Sequence, residues 1–159
     1  AEPFVSFIDP NDKLFAAPED MPLKIQEFCR RTGQPVPETV GAVMRCIYQS
    51  LACEFALTFE KISKLTGHEY SKVHMIGGGT KDKLLCSLTA EALGKPAVAG
   101  PVEATALGNG ISSLIALGDI PDLAAARRVI IDSGLTVTYE PKEHGSWIPA
   151  IEKYRSILT

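Results

Sequence analysis

The stretch VHMIGGGTKDKLL (residues 73–85) determines how the rest of the chain is interpreted. A short apolar run over residues 73–76 predicts a strand, three consecutive glycines predict a turn, and the segment after them is helix-forming. A strand that ends in a glycine-rich turn and continues into a helix is typical of α/β domains. We therefore expect a strand–turn–helix unit in which Thr80 caps a helix that runs to Leu93.

The flanking sequence predicts more helix than strand. Further strands are expected at residues 4–8, 96–99 and 135–139, and helices at residues 22–31, 37–65, 103–117, 121–133 and 146–158. Asp119 is the expected cap of the helix at 121–133, and Pro149 is expected in the first turn of the last helix. Four short strands are few for an independent domain. We therefore expect that strands are missing from the N-terminal side of residues 1–159, which form a single partial domain.

The longest predicted helix, at residues 37–65, has apolar side chains at helical spacing along one face, which we expect to face the core. This apolar stripe consists of Val40, Met44, Ile47, Leu51, Phe55, Ile62 and Leu65. Small residues on a second face suggest further contacts with neighbouring elements.

Composition places the chain among ordinary globular domains. Of 159 residues, 45% are hydrophobic and 22% charged, and 16 basic against 19 acidic residues give a net charge of −3. This balance lacks the basic excess of a nucleic-acid-binding protein. No apolar run approaches the roughly 20 residues that cross a bilayer, and no signal peptide is visible. We therefore expect neither nucleic acid nor a membrane as a partner.

The cysteines and histidines do not indicate a metal site. Cys29, Cys46, Cys53 and Cys86 include no C-x-x-C pair, which argues against zinc. We expect buried thiols in a reducing cytoplasm, with a disulfide between Cys29 and Cys46 as the alternative. The three histidines have no second ligand at metal spacing, and Trp147 is expected to anchor the last helix by packing.

The glycine turn at residues 77–79 can let a ligand approach the backbone closely, because glycine has no Cβ. The helix N-terminus that follows adds a partial positive charge, and Lys81 and Lys83 add more. Together they indicate a site for a phosphate, ribose or carboxylate; the alternative is a tight turn at which strand and helix pack closely. The Walker A loop does not fit, because its lysine is followed by serine or threonine and Lys81 is followed by Asp82. The dinucleotide fingerprint does not fit either, because Asp82 occupies the position of its third glycine.

A second segment with little side-chain bulk follows the strand at 96–99. Residues 99–109 read AGPVEATALGN, so small side chains dominate the start of the next helix. This surface suits either close helix packing or a flat ring. Both glycine-ended strands open toward the carboxyl edge of the sheet, where α/β sheets bind ligands, which favours a ligand here.

These segments resemble the C-terminal domain of the FGGY carbohydrate kinases. The resemblance is carried by residues 74–85, 88–96 and 99–109, and the stretches FIDP (7–10), CRRTGQP (29–35) and RCI (45–47) extend it over nearly the whole chain. Within the family, the likeness is greatest to the branch that phosphorylates L-rhamnulose.

The resemblance implies an incomplete C-terminal lobe of an actin/hexokinase-like (ribonuclease H-like) ATPase fold, helix-rich around a short parallel sheet. It implies transfer of phosphate from ATP to a sugar, with Mg²⁺ required in the full-length enzyme. By position, the residues implied to bind ATP or ADP are Gly77, Gly78, Gly79, Asp82, Glu103 and Ala104. Asp82 stands where several relatives carry asparagine, and an ionised aspartate cannot donate a hydrogen bond.

The resemblance also implies that the catalytic base, the sugar-binding residues and the metal ligands lie outside this chain, which alone is then inactive. Two alternatives stay open: a non-catalytic nucleotide-binding or interaction module, and an FGGY kinase for another ketose or polyol. We expect a nucleotide as partner, a sugar only in the full-length enzyme, and self-association through exposed surface.

Overall fold

Three short strands form one sheet in the computed structural model, which describes residues 1–158. The described elements, in chain order, are α1 (Met21–Arg31), α2 (Val40–Thr66), β1 (Val73–Met75), α3 (Lys83–Leu93), β2 (Ala97–Ala99), α4 (Ala104–Leu117), α5 (Leu123–Asp132), β3 (Val137–Tyr139) and α6 (His144–Ser156). Short 3-10 helices occupy Lys13–Phe15 and Gly78–Lys81. The helix-rich α/β class is confirmed.

The sheet has the order β1-β2-β3 and is mixed. β1 and β2 are parallel, with Val73 opposite Ala97, whereas β3 is antiparallel to β2, with Val137 opposite Ala99. The predicted parallel sheet is therefore correct for β1 and β2 and wrong for β3. β2 is the central strand, and β1 is an edge strand of the described sheet.

The strand predicted at residues 4–8 is wrong, although the segment is buried. Side chains, not a neighbouring strand, accept its backbone N–H groups: Phe7 N donates to Gln34 Oε1 at 2.8 Å, and Ile8 N donates to Ser50 Oγ at 2.9 Å. Phe7 and Ile8 reach the core without joining the sheet. Apolar alternation predicted burial here correctly, but the partner of the backbone is not visible in a local pattern.

The face of α2 that points to the core differs from the predicted one. The buried residues are mostly small: Val43, Cys46, Gln49, Ser50, Ala52, Cys53, Ala56 and Leu57. Most of the predicted stripe is exposed, and Val40 and Leu65 are 82% and 86% exposed, whereas Ile47 packs against buried residues. Small side chains allow α2 to lie close along α3 and α6, because helix separation depends on the residues at the contact. The larger apolar residues are left on the outer face.

By length and composition alone, α2 is also apolar enough to cross a membrane, with a mean hydropathy of 1.2 over its most apolar window. Of that window, 44% is buried inside the protein. The buried amide of Gln49 and hydroxyl of Ser50 hydrogen-bond the N-terminal segment, which identifies α2 as the central core helix.

The predicted starts of α2, α5 and α6 are wrong. α2 begins at Val40 rather than at residue 37. Asp122, not Asp119, caps α5, and its carboxylate accepts a hydrogen bond from Ala125 N at 2.7 Å. α6 begins at His144, two residues before the predicted start, so Pro149 lies inside the helix rather than in its first turn. Gly67, Gly94 and Gly118 end α2, α3 and α4 in the left-handed conformation.

The early start of α6 is explained by Glu91 of α3. Its buried carboxylate accepts hydrogen bonds from Lys142 N and Glu143 N, and its carbonyl oxygen lies 2.7 Å from His144 Nδ1. The His144 ring lies against Gly94, where a Cβ would come within 2.8 Å of it. Glu91 therefore binds the backbone N–H groups of the two residues that precede α6.

Two hydrophobic clusters hold these elements together. In the first, the Trp147 ring lies edge-on to Phe4 with centroids 5.0 Å apart, which confirms Trp147 as a packing anchor. The second cluster includes Cys29 and Cys46. All four cysteines are buried free thiols, so the disulfide alternative is not formed.

Candidate functional site

The glycine turn leaves the end of β1 with a defined backbone shape. Gly77 has φ 85° and ψ −167°, a conformation that only glycine adopts readily. The carbonyl oxygen of Gly77 accepts hydrogen bonds from Thr80 N at 3.1 Å and from Thr80 Oγ1 at 2.7 Å. Asp82 N donates to Gly79 O at 3.1 Å. These bonds close the turn into the short 3-10 helix without any ligand.

The space beside the three glycines is open. Apart from adjacent residues of the chain, no described atom lies within 4 Å of a Cβ built on Gly77, Gly78 or Gly79. Gly78 and Gly79 are exposed. The neighbouring protein therefore does not require glycine at 78 or 79, and a ligand can reach this backbone closely. Within residues 1–158, no neighbouring side chain packs against these three glycines.

The helix that follows starts later than predicted and is already capped. α3 begins at Lys83, and its N-cap is Asp82 rather than Thr80. Asp82 Oδ1 accepts hydrogen bonds from Leu84 N at 3.1 Å and Leu85 N at 3.0 Å. The expected free anion site at this helix N-terminus is therefore wrong, because a carboxylate already takes two of its donors and adds a negative charge.

The second oxygen of Asp82 is also bound. Tyr48, on α2, donates its hydroxyl hydrogen to Asp82 Oδ2. This bond, together with the backbone N–H of Leu85, holds the pKa of the Asp82 carboxyl below its ordinary value. The same bond raises the pKa of Tyr48. At neutral pH the pair is thus an ionised carboxylate and a neutral phenol. Tyr48 precedes Asp82 by 34 residues, so no local sequence motif includes both.

The second predicted segment lies at the same edge of the sheet. Gly100 N donates to Met75 O at 2.8 Å, so the end of β2 lies beside the end of β1. A Cβ on Gly100 would stand 3.3 Å from that carbonyl. The turn and the start of α4 therefore open toward one edge, as the sequence predicted.

Glu103 and Ala104 lie at the start of α4. Glu103 is its exposed N-cap residue, and Ala104 is its first helical residue. With Ala106 and side chains of α5, Glu103 lines an apolar groove of about 550 Å³. The structure thus brings the three glycines and Asp82 into one turn and places Glu103 and Ala104 after the adjoining strand.

Other candidate chemistry is not supported. Among residues 1–158, no group of three or more His, Cys, Asp or Glu side chains is arranged to hold a metal ion. His144 has the structural role described above, and the His68 ring lies against the Tyr70 ring with centroids 4.9 Å apart.

Comparison with known proteins identifies the family. The profile of the FGGY family of carbohydrate kinases, C-terminal domain, matches residues 1–117. Rhamnulokinase from Bacteroides thetaiotaomicron is 42% identical over 157 residues, which is 99% of this chain and 32% of that protein. Rhamnulokinase from Bacillus subtilis is 40% identical over 142 residues, covering 89% of this chain and 29% of that protein.

A solved structure supports the fold. The crystal structure of xylulose kinase from Rhodospirillum rubrum superposes with a TM-score of 0.59 and 19% identity, over 79% of this chain and 25% of that chain. The chain spans about a third of the length of the curated relatives that it matches. With nearly three quarters of its residues under the family profile, the chain belongs to the FGGY family of carbohydrate kinases.

Proposed function

We propose that this chain is part of an ATP-dependent kinase that phosphorylates L-rhamnulose, and that it contributes part of the ATP/ADP site. The observation that carries the site is the open backbone of residues 77–79 at the edge where β1 and β2 both end. Open α/β sheets bind ligands at this edge. The sugar rests on the relatives named rhamnulokinase, which are about 40% identical to this chain.

The charges around the turn favour the nucleoside end of the nucleotide. Asp82 is ionised and caps α3, so a phosphate placed at that helix end would meet a negative charge. Adenosine carries no charge, and its flat ring and ribose suit a bare backbone. We therefore propose that Gly77, Gly78 and Gly79 contact adenosine. Exposed Lys81 and Lys83 can attract the polyphosphate from a greater distance.

The start of α4 supplies the second wall in this proposal. Glu103 and Ala104 follow β2, which is hydrogen-bonded to β1. The small side chains beyond them leave room for a ring to lie flat. Asp82 contributes by holding the turn, because its Oδ1 caps α3 and its Oδ2 is bound by Tyr48.

The catalytic residues are proposed to lie in the part of the kinase outside these 159 residues. The general base, the sugar-binding residues and the Mg²⁺ ligands belong there, since the chain spans about a third of its relatives. Phosphoryl transfer requires positioning of both substrates and neutralisation of charge. We therefore propose that residues 1–159 form a partial, cytoplasmic domain that does not phosphorylate sugar by itself.

The exposed apolar surface supports the proposal of a partial domain. Phe55 and Ile62 of α2, with Met75 and Ile76, line a groove of about 360 Å³ beside the edge strand β1. Ile76 is 70% exposed. In the isolated chain this surface is proposed to drive self-association; in the full-length kinase the rest of the polypeptide covers it.

Steady-state assays of the full-length protein test the proposed function. We expect ATP-dependent phosphorylation of L-rhamnulose, with a higher kcat/KM than for L-fuculose, D-xylulose or glycerol. A preference for one of the other acceptors would assign the chain to a kinase of another ketose or polyol. ATP binding without turnover of any acceptor would instead favour a non-catalytic nucleotide-binding module. The isolated 159-residue chain, assayed in parallel, is expected to be inactive.

A further inference from the structure

We infer that Tyr48 is a positioning residue for the glycine turn: by donating its hydroxyl to Asp82, it holds residues 77–82 in the shape that receives the nucleoside. The inference rests on the proposed function of the turn. It assigns a role in the site to a residue of α2, which lies outside the glycine turn in the sequence.

Asp82 connects three parts of the molecule. Its backbone N–H binds Gly79 O, which fixes the C-terminal end of the turn. Its Oδ1 caps α3 through Leu84 N and Leu85 N. Its Oδ2 accepts the hydrogen bond from Tyr48. A rotation of this one carboxylate would therefore break both the cap of α3 and the bond to α2.

Tyr48 is a firm anchor because its own backbone is held. The next two residues of α2, Gln49 and Ser50, are buried, and both accept hydrogen bonds from backbone N–H groups of the N-terminal segment. The Tyr48 side chain is half-buried and borders a small cavity of about 150 Å³, together with Leu84 and Leu88 of α3. The phenol thus reaches from the rigid core helix to the residue that ends the turn.

The chemistry of residue 82 explains why a donor is needed. A carboxylate only accepts hydrogen bonds, so Oδ2 of Asp82 has no way to bind the protein unless a donor is brought to it. Tyr48 supplies that donor, and a hydrogen bond to an ionised group is stronger than one between neutral groups. An asparagine at 82 would keep an oxygen for the helix cap and carry an N–H₂ group of its own. With phenylalanine at 48, that N–H₂ group would meet an apolar ring, so asparagine at 82 does not replace the bond to Tyr48.

The experiment compares ADP binding by calorimetry across four forms of the full-length kinase. Tyr48→Phe removes the hydroxyl and keeps the ring, and it is expected to weaken ADP binding about tenfold. Adding Asp82→Asn to Tyr48→Phe is expected to leave ADP binding as weak as in Tyr48→Phe, because the amide has no acceptor on the phenylalanine ring. Tyr70→Phe is the matched control, because the Tyr70 hydroxyl donates to Thr66 Oγ1 at the far end of α2. We expect wild-type affinity in that control.

Steady-state kinetics and thermal unfolding separate positioning from folding. Tyr48→Phe is expected to raise KM for ATP with kcat nearly unchanged. Equal ADP affinity in wild type and Tyr48→Phe, or recovery of wild-type affinity in the double variant, would overturn the inference. A loss of affinity that follows only a fall in melting temperature, and is reproduced by Tyr70→Phe, would also overturn it. If wild type itself does not bind ADP, the proposed function fails instead.

Discussion

Replacing Gly78 by valine adds a branched side chain where the structure leaves space. Among the described residues, no atom lies within 4 Å of a Cβ at this position, and the backbone is not in the left-handed region. The fold should therefore tolerate the side chain. A nucleoside that lies against the bare backbone should be displaced, because the valine methyl groups would occupy its place.

The two effects differ enough in size to be separated. An exposed substitution outside the core changes the free energy of unfolding by about 0.5 kcal/mol or less. Pushing a nucleoside off the turn removes on the order of ten to twenty atom contacts, each worth about 0.1–0.2 kcal/mol. That is about 2 kcal/mol, or roughly thirtyfold in the dissociation constant.

Calorimetric titration of ADP into the full-length kinase measures this difference. Gly145→Val is the matched control, because Gly145 is exposed, has similar open space and lies at the start of α6, away from the turn. We expect about thirtyfold weaker ADP binding in Gly78→Val, unchanged binding in Gly145→Val, and similar melting temperatures in both. Unchanged affinity in Gly78→Val would refute the assignment of the turn.

Three further predictions concern stability and association. In chemical denaturation, Gly94→Ala should lower the free energy of unfolding by about 2 kcal/mol and Gly118→Ala by about 1 kcal/mol. Both glycines have positive φ, but only Gly94 faces the His144 ring. Equal losses in the two variants would contradict a contribution from the contact with His144. Burial raises the pKa of Cys53 to about 12. The stability that the buried thiol contributes is therefore complete below pH 9, and the free energy of unfolding should fall by up to about 1.4 kcal/mol per pH unit between pH 9 and 12. Cys53→Ala should flatten this slope, and an unchanged slope in the variant would contradict the prediction. Light scattering should show concentration-dependent association of the isolated chain that Ile62→Glu reduces, and a strict monomer at every concentration would contradict this.

The ends of most elements were predictable because local chemistry sets them. Gly67, Gly94 and Gly118 stop helices by adopting a left-handed conformation that other residues avoid. The caps were harder, because an aspartate two or three residues away competes for the same role. The carboxylates of Asp82 and Asp122 accept hydrogen bonds from the first N–H groups of α3 and α5, so both helices begin later than predicted.

The errors share a physical origin in partners that are distant in sequence. The apolar stripe of α2 predicted the helix correctly but indicated the wrong buried face. The buried face carries small residues, because these let α3 pack closely against α2. Residues 4–8 satisfy their backbone through Gln34, Gln49 and Ser50, which a strand pattern does not reveal. The turn could be recognised from its glycines, whereas the contact of Tyr48 with Asp82 required the packing of α2 on α3.

A crystal structure of the full-length kinase with ADP tests the central claim most directly. Adenosine atoms are expected within about 4 Å of the Gly78 backbone, in van der Waals contact, with the Tyr48–Asp82 hydrogen bond intact. ADP bound at another edge of the sheet, with residues 77–79 left facing solvent, would contradict the account.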